Sequence, residues 1–195
     1  AKACFKEMTV PEAVSITSAF QETMLAAKPA GEMESCSVLQ TDDAFWKVFE
    51  FDFVSGKPYD NADFDAGAAK AVISEDMARR LFGTSEVVGK TFLLNHTAYL
   101  ISGVVRPVSK LARYAYAQVW IPLSSTNAFT TTWGDENIMG LVAVLILAKS
   151  TDDFPAIHNE ADRLRAVFMA GHPNFDLLYR GQPDTYFVAA QRHSA

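Results

Sequence analysis

Residues 43–122 constrain the fold most, because their apolar stretches are short and each is bounded by a turn or cap signal. One short helix is indicated: Ser74 is its N-cap, its apolar residues lie on one face, and Gly83 ends it. The remaining stretches have the length of strands and cover residues 49–53, 92–94, 99–105 and 118–121. Asn95-His96-Thr97 forms a hairpin turn between two of them. This region is therefore predicted to be mostly β with one short helix.

The N-terminal segment carries a helix signal followed by a strand signal. Thr9, Pro11 and Glu12 match a capping box with a Pro in the first turn, and a mostly single apolar stripe runs on as far as Leu25. Residues 29–31 stop this pattern, and residues 35–39 then alternate between small or polar and apolar side chains. We expect a helix over residues 10–25 and a strand over residues 35–39.

The C-terminal segment uses the same kinds of element in another order. Residues 141–148 are apolar throughout, as in a central strand that is covered on both faces. A helix is predicted over residues 154–170, ended by Gly171-His172-Pro173, and short strands are predicted near residues 175–179 and 185–189. The side chains of the helix that are expected to face inward are Phe154, Ile157, Ala161, Leu164, Val167 and Phe168.

The two terminal segments can share one sheet, which makes the chain α+β with a discontinuous arrangement. One α+β subdomain is predicted from residues 1–40 together with residues 140–195. Residues 41–139 are predicted to form an inserted, mostly β subdomain.

The charge of the chain speaks against nucleic acid as a partner. There are 17 Lys and Arg residues against 23 Asp and Glu residues, and the basic residues form no run. Binding to phosphates requires clustered cations.

No stretch reaches the roughly 20 apolar residues that a membrane-spanning helix requires. The chain begins at Ala1-Lys2-Ala3 without an initiator Met or a leader, and we interpret it as an excised segment of a longer protein; a processed mature protein would look the same.

The two cysteines, Cys4 and Cys36, leave two interpretations open. An even count is compatible with a disulfide in an oxidising compartment. Two buried thiols are the alternative, and the absence of a CxxC spacing speaks against redox or zinc chemistry at these residues.

Two groups of residues are candidate metal ligands. Residues 60–67 crowd carboxylates, but neither Asp60 nor Asp63 starts a register with the Gly and Glu that an EF-hand loop requires. A solvated acidic loop is the expected structure. The histidines are not in pairs with metal-ligand spacing; they are His96, His158, His172 and His193. No metal site is predicted.

No catalytic or cofactor-binding residues are predicted either. A GxSxG nucleophile motif is absent, and Ser74 is better explained as a helix cap. Gly89-Lys90-Thr91 is similar to the end of a phosphate-binding loop, but Thr84 stands where that loop needs its first Gly.

An aromatic group stands out in residues 45–53. Phe49, Phe51 and Phe53 alternate with Glu50 and Asp52, which favours a strand with one buried aromatic face. The alternative is an exposed surface that contacts a partner. The full group is Phe45, Trp46, Phe49, Phe51 and Phe53.

These segments, in their order and spacing, resemble the MacB-like periplasmic core domain of ABC transporter permeases, a MacB/FtsX/LolC-type family. The segments that carry the resemblance are residues 43–53, 55–59, 72–83, 88–91 and 99–105. The start at residues 11–14 and the close at residues 145–149 fit more loosely.

The resemblance implies a non-catalytic ectodomain at the periplasmic face of the bacterial inner membrane. It implies a porter-like α+β subdomain with an inserted one, and a parent that is membrane-anchored and dimeric. The implied partners are a periplasmic adaptor or other envelope protein and the ATP-binding subunit or domain of the same transporter. The implied role is to transmit conformational change and to contact partners or substrate during efflux or lipoprotein export. The alternative is a secreted or periplasmic α+β enzyme or ligand-binding protein.

Overall fold

A computed structural model describes residues 5–28, 31–126, 142–173 and 181–191. The contacts within the chain divide it into two units. One is formed by residues 1–14 and 146–195, and the other by residues 15–145. The subdomain boundaries expected from the sequence, at residues 40/41 and 139/140, stay a prediction.

Nine strands are described. They are β1 (Ala13–Ser18), β2 (Glu22–Ala27), β3 (Met33–Thr41), β4 (Phe53–Gly56), β5 (Lys70–Ser74), β6 (Thr91–Leu94), β7 (Thr97–Val105), β8 (Val119–Pro122) and β9 (Val142–Leu147). The strands predicted within residues 35–39, 92–94, 99–105, 118–121 and 141–148 are thereby confirmed, apart from Leu141, which lies outside the described residues.

Six strands of the 15–145 unit close on themselves. Pairing runs from β2 through β6, β7, β5, β8 and β3 and returns to β2. The β3–β8 and β5–β7 pairs are parallel, and the other pairs of this ring are antiparallel. Because the ring is closed, each of its strands pairs with a neighbour on both sides, and none of them forms a free edge of the sheet along its paired residues. β4 is added to β7, and β1 meets β3 where Thr17 lies opposite Thr41.

Five α-helices are described: α1 (Phe45–Val48), α2 (Asn61–Asp65), α3 (Glu75–Phe82), α4 (Phe154–Gly171) and α5 (Tyr186–Gln191). The α+β class is confirmed. Residues 41–126 contain three of these helices, however, whereas the sequence predicted one. The two additional helices have only four and five residues, which is too short for an apolar period to be recognised.

Helix α3 and the β6–β7 hairpin form where local signals predicted them. The Ser74 hydroxyl accepts a hydrogen bond from the Met77 amide at 3.3 Å, and Gly83 ends the helix with a φ of 74°. Asn95 and His96 have φ values of 45° and 70°, as a tight two-residue hairpin turn requires. Both elements are therefore fixed by residues that lie close together in the chain.

The apolar core inside the closed sheet explains why apolar side chains alternate with other side chains along its strands. Residues of successive strands that point inward are fully or almost fully buried, and the apolar face of α3 packs with them. Members of this cluster are Val38, Ile73, Met77, Phe92, Ile101 and Val119. Their burial supplies about 1.5–3 kcal/mol for each large side chain.

The helix predicted over residues 10–25 is wrong, because β1 and β2 occupy this segment. The Glu12 amide donates to the Leu147 carbonyl at 2.8 Å, which is a contact between extended segments and not a helix start. Residues 14–18 are all buried, so no polar face is left for an amphipathic helix. Phe20, expected in the apolar stripe, is exposed.

The C-terminal predictions have mixed outcomes. Helix α4 is confirmed, with Ile157 and Ala161 buried, but Phe154 and Val167 are exposed. Residues 185–189 were predicted as a strand, which is wrong: α5 lies there, and the Thr185 carbonyl accepts a hydrogen bond from the Ala189 amide at 2.9 Å. The strand predicted near residues 175–179 lies outside the described residues.

Strand β9 differs from its prediction in burial and position. All six of its residues are half-buried, and β9 stands at the end of the strand order in the described part of the chain. A wholly apolar sequence therefore did not mark a central, fully covered strand here.

Candidate functional site

The acidic segment of residues 60–67 forms a capped helical turn. The Asp60 carboxylate accepts a hydrogen bond from the Asp63 amide at 3.1 Å, and the Asp63 carboxylate accepts one from the Asp60 amide at 3.3 Å. Lys70 donates to Asp63, and this contact holds the pKa of the Asp63 carboxyl below its usual range. Asn61 donates to Asp65 at 2.8 Å. These carboxylates thus have protein partners that account for their positions.

The described histidines have different environments. His96 is an exposed turn residue, and His158 is exposed on α4. The His172 ring stacks on Phe168 with 4.1 Å between centroids, and its Nδ1 lies 2.8 Å from the Phe168 carbonyl oxygen. His193 lies outside the described residues. Within the described ranges, no three His, Cys, Asp or Glu side chains are grouped as a metal site would need.

The two sequence features considered for catalysis or phosphate binding have structural roles. Ser74 is buried and caps α3. The Lys90 ammonium lies 5.6 Å from the centre of the Phe82 ring, a cation–π distance. Thr91 is the first residue of β6 and does not begin a helix.

Cys36 is a free thiol in the interior of the closed sheet. Burial raises the pKa of this thiol to about 11, and the opposing effect of Arg80 is smaller. A thiol with such a pKa is almost wholly protonated at neutral pH and therefore unreactive. Cys4 lies outside the described residues.

The aromatic residues form a second core cluster in the 15–145 unit. Phe45 is fully buried at its centre, and its ring lies 5.2–5.6 Å from the rings of Trp46, Phe49 and Phe51. Trp120, also fully buried, packs edge-on against Trp46 and Phe51. The prediction that these aromatics are core is confirmed. The predicted strand over residues 49–53 is wrong, since only its last residue lies in β4.

A buried carboxylate joins this aromatic cluster to β1. Asp42 is 2% exposed and follows the last residue of β3. It accepts hydrogen bonds from the Ser15 hydroxyl at 2.7 Å, the Ile16 amide at 2.9 Å and the Phe45 amide at 3.2 Å. The Asp42 amide in turn donates to the Ile16 carbonyl at 3.0 Å. One side chain therefore fixes β1, the end of β3 and the start of α1 together.

The neighbouring hydroxyl pair extends this junction. Thr41 and Tyr59 share a hydrogen bond between their hydroxyl groups, and both residues are buried. Burial raises the pKa of Tyr59, so the phenol stays protonated at any physiological pH. Sequence reasoning missed Asp42; the only local signal was an acidic residue three positions before Phe45, a spacing that suits a helix cap.

A second buried carboxylate organises the unit of residues 1–14 and 146–195. Glu160 of α4 accepts hydrogen bonds from the Thr9 amide at 2.9 Å, from the Thr9 hydroxyl at 2.9 Å and from the Val10 amide at 3.0 Å. Burial acts to raise the pKa of Glu160, but these donors outweigh it and lower the pKa below its usual range. Thr9 is thus a partner of α4 and not the cap of an N-terminal helix.

We expect Glu160→Gln to loosen the N-terminal segment and to remove part of its pH dependence. A lowered carboxyl pKa in the folded state contributes stability above the unfolded value, near 4.3, and this contribution is lost as the pH falls through the folded value. Hydrogen exchange of the Thr9 and Val10 amides measures the effect locally. At pH 7 the variant should exchange roughly 10-fold faster, for a loss of about 1.5 kcal/mol.

The matched control is Asp162→Asn, an exposed carboxylate on the same helix. It should leave the exchange of both amides unchanged. Equal exchange rates for the two variants would show that Glu160 does not hold the segment.

An open groove of about 430 Å³ lies in the 15–145 unit. The start of α3 forms one part of its lining, and the connection between β7 and β8 forms another. Arg80 donates to Glu34 and to the Ser35 carbonyl, and the Gln118 side chain accepts from the Ser37 amide at 3.0 Å. Polar members of the lining are Ser74, Asp76, Arg80, Lys110, Tyr116 and Gln118.

Among the described helices, none is both long and apolar enough to cross a bilayer.

Comparison with known proteins gives curated relatives that are transporter permeases. The chain is 24% identical over 149 residues to the uncharacterized ABC transporter permease YknZ of Bacillus subtilis, with 76% of this chain and 36% of that protein covered. It is 29% identical over 91 residues to the macrolide export ATP-binding/permease protein MacB of Pasteurella multocida, with 47% of this chain and 14% of that protein covered. The chain therefore spans only a minor part of these relatives.

Three solved structures share the fold. The extracellular domain of YknZ from Gram-positive bacteria has a TM-score of 0.64 at 20% identity, with 86% of this chain and 80% of that chain covered. The periplasmic region of MacB from Actinobacillus actinomycetemcomitans has a TM-score of 0.62 at 15% identity, with 86% and 71% covered. A domain of a putative permease from Porphyromonas gingivalis has a TM-score of 0.66 at 16% identity, with 98% and 84% covered.

The family is established by the sequence itself. The model of the MacB-like periplasmic core domain matches residues 3–164, which is most of the chain, and it confirms the resemblance seen in residues 43–122. This chain belongs to the family of MacB-like periplasmic core domains.

Proposed function

We propose that this chain is the extracytoplasmic domain of an ABC transporter permease and that it acts without catalysis. It transmits conformational change between the membrane part of the transporter and proteins or substrate outside the membrane. The observation that carries the proposal is the family match over residues 3–164. Relatives that share 24% and 29% of aligned residues with it are permeases by name.

The roles of the reactive side chains support a non-catalytic domain. Ser74 caps a helix and Cys36 is a buried thiol of raised pKa, so neither is activated as a nucleophile would be. The buried carboxylates Asp42 and Glu160 accept hydrogen bonds from backbone amides and hydroxyls of neighbouring segments. These contacts hold segments of the chain in place.

Transmission of a displacement requires elements that move as rigid bodies, and the 15–145 unit has such a construction. Its six-stranded ring is closed, and Asp42 ties β1 to the end of β3. A pull on β1 would therefore reach the ring through a short, fully hydrogen-bonded junction. A ligand or nucleotide can shift the equilibrium between two conformations of a domain only by the difference between its affinities for them.

The proposal extends to the parent protein. ATP is hydrolysed by a separate subunit or domain, the parent is membrane-anchored and dimeric at the periplasmic face of the inner membrane, and an adaptor or other envelope protein is a partner. The ATP-binding part is suggested by the names of the relatives, of which the chain spans 36% and 14%, while the dimer and the adaptor are inferred from the family resemblance alone. They are proposals for the whole protein.

The location is tested by labelling the parent protein in intact cells with a membrane-impermeant maleimide. Glu50 is exposed, so Glu50→Cys in a Cys4→Ser background offers one exposed thiol within this chain, while the buried Cys36 is the internal control. The expected result is labelling of the Glu50→Cys variant in intact cells and no labelling of Cys36. The gene on both sides of this chain should also encode apolar spans of about 20 residues.

Labelling only after the cells are broken would contradict the proposed location. A gene that encodes a cleavable leader and no membrane span would instead support a secreted enzyme or ligand-binding protein.

A further inference from the structure

Charge is unevenly distributed along this acidic chain. The whole sequence has 23 Asp and Glu residues against 17 Lys and Arg residues, yet residues 87–134 contain no Asp or Glu. The basic residues of this stretch are Lys90, Arg106, Lys110 and Arg113. Three of them fall in the connection between β7 and β8, residues 106–118.

This connection is an ordered loop. The Leu111 amide donates to the Ser109 hydroxyl at 3.2 Å, and the Ala112 amide donates to the Ser109 carbonyl at 2.9 Å. The Tyr116 amide donates to the Ala112 carbonyl at 2.8 Å. On the far side, the buried Trp120 indole donates to the Ala115 carbonyl at 3.1 Å. The loop therefore presents its side chains from a fixed backbone.

The tip of the loop carries two cations on either side of a fully exposed apolar side chain. Leu111 is 91% exposed, and Lys110 and Arg113 are also exposed. Among the described residues neither Lys110 nor Arg113 has a carboxylate within ion-pair distance, whereas Arg106 pairs with Asp52 at 2.6 Å. Two cations are thus available to an incoming anion without the loss of an internal ion pair.

Lys110 also reaches the groove of about 430 Å³ described above. The Arg80 side chain in this groove is already paired with Glu34, and Asp76 at the start of α3 is the carboxylate among its described lining residues. Tyr116 and the apolar Val108 also line the groove, which therefore suits a polypeptide segment, with polar residues for its amides and apolar contact for its side chains.

We propose that the basic loop surface, formed by Lys110, Leu111, Arg113 and the adjoining groove, binds an extended, carboxylate-bearing segment of a partner protein. The cations pair with its acidic side chains, Leu111 enters an apolar depression of the partner, and the groove holds the segment itself. Charge complementarity identifies the partner as acidic. This inference rests on the proposed partner-contacting function and names the surface that performs it.

A membrane surface fits these observations less well than a protein. Stable attachment to an anionic bilayer requires a cluster of several basic residues or a larger inserted apolar surface. Two cations and one leucine therefore give only a weak and reversible attachment. A concave groove beside the loop would also have no function against a flat bilayer.

The test uses a hexaglutamate peptide and the 195-residue chain labelled with nitrogen-15. In 25 mM salt, amide signals of residues 108–118 and of Ser74 and Arg80 should shift on titration. The double variant Lys110→Glu with Arg113→Glu should weaken binding at least 10-fold. In 300 mM salt the native chain should also bind more weakly, because exposed charges are screened.

The matched control is Lys28→Glu with Lys57→Glu, which changes the net charge equally at residues outside the loop and groove. It should bind the peptide within about 2-fold of the native chain. Equal weakening in both double variants would overturn the proposal, since it would show attraction by overall charge. Absence of shifts at 1 mM peptide would overturn it too.

Vesicles of phosphatidylglycerol distinguish the membrane alternative. Retention of the native chain on these vesicles, without binding of hexaglutamate, would overturn the protein-partner proposal in favour of a lipid surface. Maleimide labelling at residue 50 does not depend on Lys110 or Arg113. Failure of this proposal would therefore leave the proposed extracytoplasmic location intact.

Discussion

Replacement of Asp42 by Ala should lower the free energy of unfolding of the 15–145 unit by about 4 kcal/mol. The substitution removes a buried acceptor of three hydrogen bonds, which come from Ser15, Ile16 and Phe45. The Ile16 and Phe45 amides would then be left buried without this acceptor, at a cost of about 1–3 kcal/mol each. Urea unfolding followed by tryptophan fluorescence measures the loss, because Trp46 and Trp120 belong to the adjacent cluster.

Two variants make this result specific to the buried carboxylate. Asp42→Asn keeps one acceptor oxygen, so its loss should be about half as large. Asp52→Ala removes an exposed carboxylate that pairs with Arg106 at the surface, and its loss should stay below about 1 kcal/mol. If Asp42→Ala and Asp52→Ala lost equal stability, the Asp42 junction could not be the link between β1 and β3 described above.

The same variant bears on transmission. Under the proposed role in transmission, a loosened link between β1 and β3 in the reconstituted parent protein should uncouple nucleotide hydrolysis from movement of the ring. ATP hydrolysis should persist while transport declines. Asp52→Ala should leave both activities close to native.

The elements that the sequence predicted well have determinants that are close together in the chain. Ser74 begins α3 and Gly83, nine positions later, ends it. The Ser74 hydroxyl makes the cap hydrogen bond that a serine favours, and Gly83 adopts the left-handed conformation that a glycine favours. Asn95 and His96 turn the β6–β7 hairpin, flanked by alternating apolar residues. Such signals do not depend on how the remaining chain folds.

The N-terminal helix was mispredicted because its evidence was local and its structure is not. Thr9 has the residue type of a helix cap, but its donors are used by Glu160, which lies 151 positions away. Residues 14–18 mix apolar and hydroxyl side chains in a pattern that fits both the helical period of 3.6 residues and the strand period of two residues. Their burial in the fold favours the strand. Tertiary contacts outweighed a propensity difference of less than about 1 kcal/mol per residue.

The sites described above were beyond prediction for a related reason. Asp42 looks like any acidic residue before a short loop, and only the fold brings Ser15 and Ile16 to it. Lys110 joins the groove because the β7–β8 connection runs beside the start of α3. The family was predictable because the resemblance depends on the order of many local patterns along the chain. A binding surface depends on which segments the fold brings together, and the sequence does not show this directly.

Gly56→Ala should destabilise the 15–145 unit by at least about 3 kcal/mol. Gly56 has a φ of 69°, and an added Cβ would lie 2.2 Å from the Ser102 carbonyl oxygen and 2.9 Å from a methyl carbon of Val88. The nearest obstacle is backbone, so it cannot rotate away. Relief would require the β4–β7 pairing of Gly56 with Gly103 to separate, together with the 3.0 Å hydrogen bond from the Lys57 amide to the Ser102 carbonyl.

Gly83→Ala separates this steric effect from the cost of a left-handed backbone. Gly83 has a φ of 74°, similar to that of Gly56, but an added Cβ there would meet no atom within 4 Å. Its loss should therefore be only the conformational cost of about 1–2 kcal/mol. Urea unfolding of both variants gives the comparison, and a Gly83→Ala loss as large as that of Gly56→Ala would show that backbone strain alone accounts for both. A larger Gly56→Ala loss, accompanied by faster hydrogen exchange at Lys57, would place the additional cost at the β4–β7 pairing, because the Lys57 amide donates to the Ser102 carbonyl oxygen that the added methyl group would contact.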